Sequence, residues 1–118
     1  MKLFESEWKV MEVLWQNGDT TAKDISLRLA DSTGWNKNTT YTVIKKCVDK
    51  GVVERREPNF LCHALVSRAA AQKEEADSLV EKFFGGSVEL LMASALSGRK
   101  LSKQEIARLR ALVEAQER

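Results

Sequence analysis

The chain of 118 residues has little cysteine, proline or histidine. Two cysteines, Cys47 and Cys62, are too few for a disulfide framework and form no Cys-x-x-Cys pair, so we expect free thiols in a reducing compartment. One proline and six glycines exclude a collagen-like or loop-dominated chain. One histidine and two scattered cysteines do not supply three or four converging metal ligands. The sequence therefore predicts no metal site and no cofactor.

Long apolar runs are also missing. The longest nearly uncharged stretch, Leu90 to Gly98, is far shorter than the roughly 20 residues that cross a bilayer. Charged residues interrupt the N-terminus before any apolar segment of signal-peptide length. We expect no membrane insertion, no secretion signal and a cytoplasmic location.

Known catalytic motifs are absent as well. The chain has no glycine-rich phosphate loop and no Gly-x-Ser-x-Gly elbow. Cys62 and His63 are adjacent in a predicted strand, where neighbouring side chains point to opposite faces, so they cannot form a nucleophile–base pair. Cys47 is expected to be a small core residue. The sequence predicts no enzyme.

The net charge of +2 is small, but its distribution is uneven. Residues 1–34 carry a net charge of −2, residues 35–56 carry +4 from six basic and two acidic side chains, and residues 57–118 are neutral. A basic segment of this kind is typical of a surface that meets nucleic acid.

Three helices are predicted in the first 50 residues, at about 6–17, 21–31 and 36–50. Thr20 or Thr21 caps the second helix, and Asn36 caps the third, which ends at Gly51. The apolar residues of the first helix recur at helical spacing, at Trp8, Met11, Leu14 and Trp15. Trp8 and Trp15 are expected in the core, and Trp35 in the core or at the corner before the third helix.

After Gly51 the spacing of the apolar residues changes from the helical period to the alternation typical of β-strands. Residues 51–57 and 60–66 read as two short strands around a turn at Pro58-Asn59. Three helices followed by a hairpin is the order of a winged helix-turn-helix. We predict a mainly α fold with a small β-hairpin, in which residues 1–66 form a winged-helix DNA-binding domain.

Residues 67–118 are predicted to form a helical dimerisation region. One helix runs from Ser67 to Phe84, a short helix opens at Ser87, and the last helix starts with the capping box Ser102-x-x-Glu105. The apolar residues here are too numerous for three short helices to hide, which favours a homodimer over folding back as a monomer. The expected interface residues are Leu79, Val80, Phe83, Phe84, Leu91, Met92, Leu96, Ile106, Leu109, Leu112 and Val113.

The third helix carries the functional signal. At 100° per residue its polar side chains fall on one arc and Thr40, Val43, Ile44, Cys47 and Val48 on the other, with Tyr41 at the boundary. Such a face is typical of any solvated helix, but a basic wing with Arg55 and Arg56 follows it, as in units that read DNA. Asn38, Thr39 and Thr42 would then face bases, and phosphates would be met by Lys37, Lys45, Lys46, Arg55 and Arg56. A winged-helix protein-interaction module without direct DNA reading is the alternative.

Several ordered motifs make the sequence resemble the penicillinase-repressor family (the BlaI/MecI/CopY type). They are Trp8-x-x-Met11-x-x-Leu14-Trp15, Thr21-Ala22-Lys23-Asp24-Ile25, Trp35-x-x-x-Thr39-x-Tyr41-Thr42-x-Ile44 and Lys50-Gly51-Val52-Val53-Glu54-Arg55. The resemblance implies a homodimeric winged-helix transcriptional repressor on a palindromic operator, of the kind that controls β-lactamase-type antibiotic-resistance genes. It also implies a membrane sensor-protease pathway as a partner, and DNA reading by Asn38, Thr39, Tyr41 and Thr42.

The chain departs from the family at several places, including Asn36-Lys37 where some relatives have a Ser-Pro helix start. Tyr41 stands where relatives often have Arg or Lys, so it would bond a phosphate or pack on a thymine methyl. Ala93-Ser94 replaces the Asn-Phe bond at which some relatives are cleaved, so release by cleavage at that bond is not expected. The last residues contain no cysteine, unlike the Cys-x-Cys pairs of the copper-responsive branch.

Overall fold

A computed structural model describes residues 2–118 of the chain. They divide into two compact units, one ending at Ser78 and the other comprising Leu79–Arg118. Their secondary structure, in chain order, is α1 (Glu5–Asn17), β1 (Thr20–Thr21), α2 (Ala22–Thr33), α3 (Lys37–Asp49), β2 (Val53–Arg56), β3 (Leu61–Ala64), α4 (Arg68–Phe84), α5 (Val88–Leu96), α6 (Lys103–Glu114) and a 3-10 turn (Ala115–Glu117). The mainly helical winged-helix fold is confirmed.

Local capping explains where α2 and α3 begin and end. The Thr21 hydroxyl accepts a hydrogen bond from the Asp24 N–H at 3.2 Å, and the Asn36 side chain accepts one from the Thr39 N–H at 2.8 Å. Each bond satisfies a donor that the first helical turn leaves without a partner. Gly34, with φ of 76°, ends α2 in the left-handed conformation that glycine adopts without strain. The predicted cap at Asn36 is confirmed, and Thr21 rather than Thr20 caps α2.

The sheet has one strand more than the sequence predicted. Its order is β1-β3-β2, and both pairings are antiparallel. The predicted hairpin is β2 and β3, whereas β1 consists of two residues that pair with Cys62 and Leu61. The hairpin of β2 and β3 is the wing, and the additional strand β1 connects it to the start of α2. The Ala22 N–H also donates to the Phe60 carbonyl at 2.9 Å.

The core of the first unit lies among α1, α2, α3 and the sheet. Its largest apolar side chains without any exposed surface are Met11, Ile25, Ile44 and Val10. Trp8 and Trp15 are half-buried against this core and meet edge to face with ring centroids 5.2 Å apart. The Trp15 indole donates to the Val66 carbonyl at 2.9 Å, and Trp35 also packs against the core as predicted. The Trp15 hydrogen bond thus links α1 to the segment that follows β3.

Two buried side-chain atoms, Thr40 Oγ1 and Glu7 Oε2, have no hydrogen-bond partner among residues 2–118. The Thr40 side chain is fully buried on the inner side of α3, and its hydroxyl makes no hydrogen bond there. A buried polar group that lacks a hydrogen bond costs about 1–3 kcal/mol, whereas an apolar group of the same shape does not.

We therefore expect Thr40→Val to raise the free energy of unfolding by about 1 kcal/mol, measured by urea denaturation. Thr42→Val on the same helix is the matched control, because the Thr42 hydroxyl is exposed and donates to the Asn38 carbonyl at 2.9 Å. Equal effects of the two substitutions would show that the burial of Thr40 is irrelevant.

Few side chains of the second unit are buried. Neither α5 nor α6 contains a buried residue. The predicted caps are present, since Ser87 accepts from the Leu90 N–H at 3.1 Å and Ser102 from the Glu105 N–H at 3.1 Å. The Ser102 N–H donates back to Glu105 at 3.3 Å, which completes the capping box. Of the helices in residues 2–118, none has both the length and the apolar character needed to cross a bilayer.

Candidate nucleic-acid interface

The outer side of α3 presents polar and cationic groups to solvent. The exposed side chains are Lys37, Asn38, Thr39, Thr42, Lys45 and Lys46. Those on the opposite side, Thr40, Val43, Ile44 and Cys47, are buried. Tyr41 and Val48 are half-buried at the border. The division of the helix into two faces agrees with the helical spacing of the sequence.

The N-terminal half of α3 is where side-chain groups remain available for a ligand. The Thr42 hydroxyl uses its proton on the Asn38 carbonyl, so its oxygen is left as an acceptor. No other described residue occupies the Asn38 side-chain amide, which keeps both donors and an acceptor. The Lys37 ammonium lies 5.4 Å from the centre of the Tyr41 ring, close enough for a cation–π contact.

An open groove of about 580 Å³ runs between α3 and the wing. The Tyr41 and Phe60 rings meet edge to face at 5.9 Å, and the Arg55 guanidinium lies 3.7 Å from the centre of the Phe60 ring. The groove is lined by Lys37, Asn38, Tyr41, Thr42, Lys45, Val48, Asp49, Arg55 and Phe60. It brings together five of the predicted DNA-contacting residues of α3 and one arginine of the wing.

Phe60 is a lining residue that sequence reasoning missed. It follows the turn at Pro58-Asn59 and has φ of 52°, a left-handed conformation uncommon for an aromatic residue. Its ring touches both Tyr41 and Arg55, so it joins α3 to β2. The only sequence signal for this role was an aromatic residue directly after a turn.

The wing arginines are paired with carboxylates of the wing and of the segment before β1. Arg55 lies 2.6 Å from Glu57, and Arg56 lies 2.5 Å from Glu54 and 3.5 Å from Asp19. The hydrogen bond to Glu54 raises the pKa of Arg56, and hydrogen bonds from Arg55 and the Phe60 N–H lower the pKa of Glu57. Both arginines are exposed, but their charges are locally compensated.

The lysines of α3 differ in this respect. Within residues 2–118, no carboxylate lies at ion-pair distance from Lys37, Lys45 or Lys46. Lys50, at the end of the same helix, is paired with Glu7. The uncompensated positive charge of the basic segment therefore lies on the outer side of α3 rather than on the wing.

The other titratable candidates are structural or solvent-facing. Burial raises the pKa of the Cys47 thiol to about 12 and that of Cys62 to about 11, so both stay protonated at neutral pH. His63 points away from Cys62 and lies 2.7 Å from Asp19 through Nδ1. In the part of the chain that the structure describes, no three His, Cys, Asp or Glu side chains cluster as metal ligands would.

The second unit exposes many of the apolar residues predicted to dimerise. Phe83 is 65% exposed, Leu112 66% and Val113 67%. Leu79, Leu96 and Ile106 are also exposed, whereas Val80 is buried. The remaining predicted residues, Phe84, Leu91, Met92 and Leu109, are half-buried. An apolar surface of this extent is unusual for a protein that stays monomeric.

Comparison with known sequences points to one family. The sequence profile described as "Penicillinase repressor" matches residues 3–115. The methicillin resistance regulatory protein MecI of Staphylococcus aureus strain N315 is 24% identical over 111 residues, which cover 92% of this chain and 90% of that protein. A penicillinase repressor of Bacillus licheniformis is 19% identical over 115 residues, which cover 96% of this chain and 90% of that protein.

A solved structure shows the same fold. The solution structure of the DNA-binding domain of the repressor BlaI superposes with a TM-score of 0.54 at 17% identity. The match covers 58% of this chain and 87% of that domain. At this level of identity the likeness is one of fold.

Proposed function

The chain belongs to the penicillinase repressor family, and on that basis we propose that it is a homodimeric transcriptional repressor that binds a palindromic DNA operator. The operator would control antibiotic-resistance genes of the β-lactamase type, as the names of its relatives suggest. The first unit would bind DNA and the second would dimerise. A protein with this role acts in the cytoplasm.

The observation that carries the proposal is the outer side of α3. It combines amide, hydroxyl and ammonium groups, its lysines lack carboxylate partners within residues 2–118, and a wing with two arginines flanks it. An α-helix of this kind fits the major groove of B-form DNA, where such groups bond to base edges and phosphates. A protein-interaction module would not need uncompensated lysines on its contact face.

The residues of this face divide into two roles. Asn38, Thr39 and Thr42 lie in the N-terminal half of the helix, which is the part that reaches base edges in helix-turn-helix complexes. The lysines at positions 37, 45 and 46 and the wing arginines at 55 and 56 would contact phosphates, which position the protein without reading sequence. Tyr41, at the wall of the groove, would bond a phosphate or pack on a thymine methyl.

Dimerisation follows from the requirement to read two half-sites. A palindromic operator presents the same sequence twice, one helical turn or a multiple of it apart, and needs two copies of α3. The exposed leucines, phenylalanine and valines of Leu79–Arg118 supply a surface for pairing two chains. Burying one Leu, Val or Phe side chain contributes about 1.5–3 kcal/mol.

Release from DNA is proposed to depend on a membrane sensor-protease pathway. Ala93 and Ser94, which replace the bond cleaved in some relatives, are exposed on α5. Cleavage at the Ala93-Ser94 bond is therefore not expected.

The two roles of the α3 side chains can be separated by mutation. We expect Lys46→Ala to weaken binding to all sequences equally and to lower the log–log salt slope by about one unit per half-site. Thr42→Ala should leave the slope unchanged and lower the ratio of operator to non-specific affinity by about fivefold per half-site, the value of one hydrogen bond. Fluorescence anisotropy at several salt concentrations measures both quantities.

Lys23→Ala, at an exposed lysine of α2, serves as the control for charge removal outside the proposed contact. Identical behaviour of the Lys46 and Thr42 variants would contradict the division of roles. Binding by the natural protein that does not respond to salt, or no binding to palindromes of its own promoter region, would instead favour the protein-interaction module.

A further inference from the structure

Lys50, directly after α3, connects the C-terminal end of this helix to the N-terminal segment of the chain. The Lys50 ammonium lies 2.5 Å from Glu7 Oε1 and donates to the Lys2 carbonyl at 2.8 Å. It also lies 4.2 Å from the centre of the Phe4 ring. One side chain thus joins three groups from residues 2–7 to the last turn of the helix.

Glu7 is an unusual residue at which to form such a link. Its side chain has no exposed surface, while that of Lys50 is 25% exposed. Oε1 also accepts the Phe4 N–H at 2.7 Å, and Oε2 is buried without a hydrogen-bond partner among the described residues. Taking a carboxylate out of water is costly, and a buried ion pair is often no more stable than apolar side chains of the same size. Stability alone therefore does not explain this pair.

What an ion pair supplies better than apolar contacts is a fixed geometry. Its hydrogen bonds set distance and direction, whereas apolar side chains can slide against each other. The N-terminal half of α3 is held by the buried side chains of Thr40, Val43 and Ile44, and its outer side by the contact of Tyr41 with Phe60. The Glu7–Lys50 pair fixes the remaining end.

We propose that Glu7 and Lys50 are positioning residues that hold α3 at the angle needed to read bases. This inference rests on the proposed function, since it concerns how the DNA-reading helix is presented. Base contacts require side chains to be placed within a fraction of an ångström, while contacts to phosphates tolerate small shifts. Loss of the pair should therefore reduce discrimination between sequences more than it reduces binding itself.

The experiment compares two double variants on the full chain. Glu7→Met/Lys50→Met replaces the pair with apolar side chains of similar length. Glu12→Met/Arg68→Met is the control for the loss of a different α1 ion pair, because Glu12 of α1 pairs with Arg68 of α4 at 2.6 Å and neither residue lies on α3; this pair is the more exposed of the two. Glu7→Gln/Lys50→Met, which keeps an acceptor for the Phe4 N–H, provides a second variant if the first does not fold.

The first measurement is the ratio of operator to non-specific DNA affinity. We expect the Glu7/Lys50 variant to lower it about tenfold, the equivalent of one base contact, with non-specific affinity within about twofold of the natural protein. Partial unfolding would reduce the active fraction equally for both DNAs and cancel from the ratio. An unchanged ratio in a folded Glu7/Lys50 variant would overturn the proposal, and so would an equal fall in the Glu12/Arg68 control.

The second measurement needs no DNA. Amide hydrogen exchange at Gly51 and Val52, whose N–H groups donate to the Val48 and Cys47 carbonyls, reports how firmly the end of α3 is held. We expect it to accelerate about tenfold in the Glu7/Lys50 variant and not in the control. Unchanged exchange would refute the positioning role even if the protein binds no DNA. Absence of operator preference in the natural protein would instead refute the proposed function, while the exchange result still decides the role of the pair.

Discussion

Replacing Ile44 with alanine is expected to lower the free energy of unfolding of the first unit by about 3–4 kcal/mol. Ile44 has no exposed surface and lies on the inner side of α3, within the core. Truncation removes the transfer free energy of the lost methyl and methylene groups and leaves a cavity that closely packed neighbours fill only in part. Since small domains are stable by only about 5–15 kcal/mol, this is a large share of the total.

Urea unfolding followed by tryptophan fluorescence measures this loss, because Trp8, Trp15 and Trp35 all pack against the same core. Leu27→Ala on α2 is the control, since Leu27 is 61% exposed and its truncation should cost less than about 0.5 kcal/mol. A loss below about 1 kcal/mol for Ile44→Ala would contradict the packing of α3 described above.

Phe83→Glu should convert the proposed dimer into monomers and lower affinity for a palindromic operator by about 100-fold or more. Phe83 is 65% exposed in the single chain, and a large aromatic residue is the type that dominates interface energies. A carboxylate there would have to be taken out of water on association, which is costly. In a dimer the two copies of α3 are linked, so binding of the first raises the effective concentration of the second at its half-site. This increases the affinity by a factor of about 10²–10⁴, which a monomer lacks.

Sedimentation equilibrium gives the oligomeric state, and anisotropy with full and half operators gives the affinity. Ser78→Glu adds the same charge to an exposed position of the same helix and should leave both quantities unchanged. Affinity for a half operator should also survive Phe83→Glu within about twofold, since α3 itself is unaltered. A dimer that persists in Phe83→Glu would exclude this residue from the interface.

Much of the fold could be predicted because its signals are local. Caps such as Asn36 and the Ser102–Glu105 box act within one helical turn, and the two faces of α3 follow from its 3.6-residue period. The strand β1 could not be predicted, since two residues show no alternation and Thr21 also serves as the cap of α2. Its pairing with β3 is a tertiary contact between residues about 40 positions apart.

The candidate site also combines features that local sequence predicts with contacts that depend on tertiary structure. The polar residues of α3 were found from spacing alone, but the pairing of Arg56 with Asp19 and of Lys50 with Glu7 depends on how distant segments fold together. Arg56 and Glu54 are two apart on β2 and share a face, and Arg55 is two residues before Glu57 in the turn that follows, so both contacts are local in the sequence. Ending the basic segment at Arg56 left out Glu57 and so overstated the positive charge of the wing.

The internal pairing of the wing has a consequence for the search along DNA. Two arginines and two carboxylates give this part of the wing no net charge. At distances beyond a Debye length of about 8 Å, the wing therefore attracts non-specific DNA only weakly. At contact, a phosphate can replace the carboxylate as the arginine's partner, so the number of charge-assisted hydrogen bonds is conserved. Such an exchange has a small free-energy change in either direction. The wing would therefore bind and release the DNA phosphate backbone easily as the protein slides. The lysines of α3 would supply the long-range attraction to DNA.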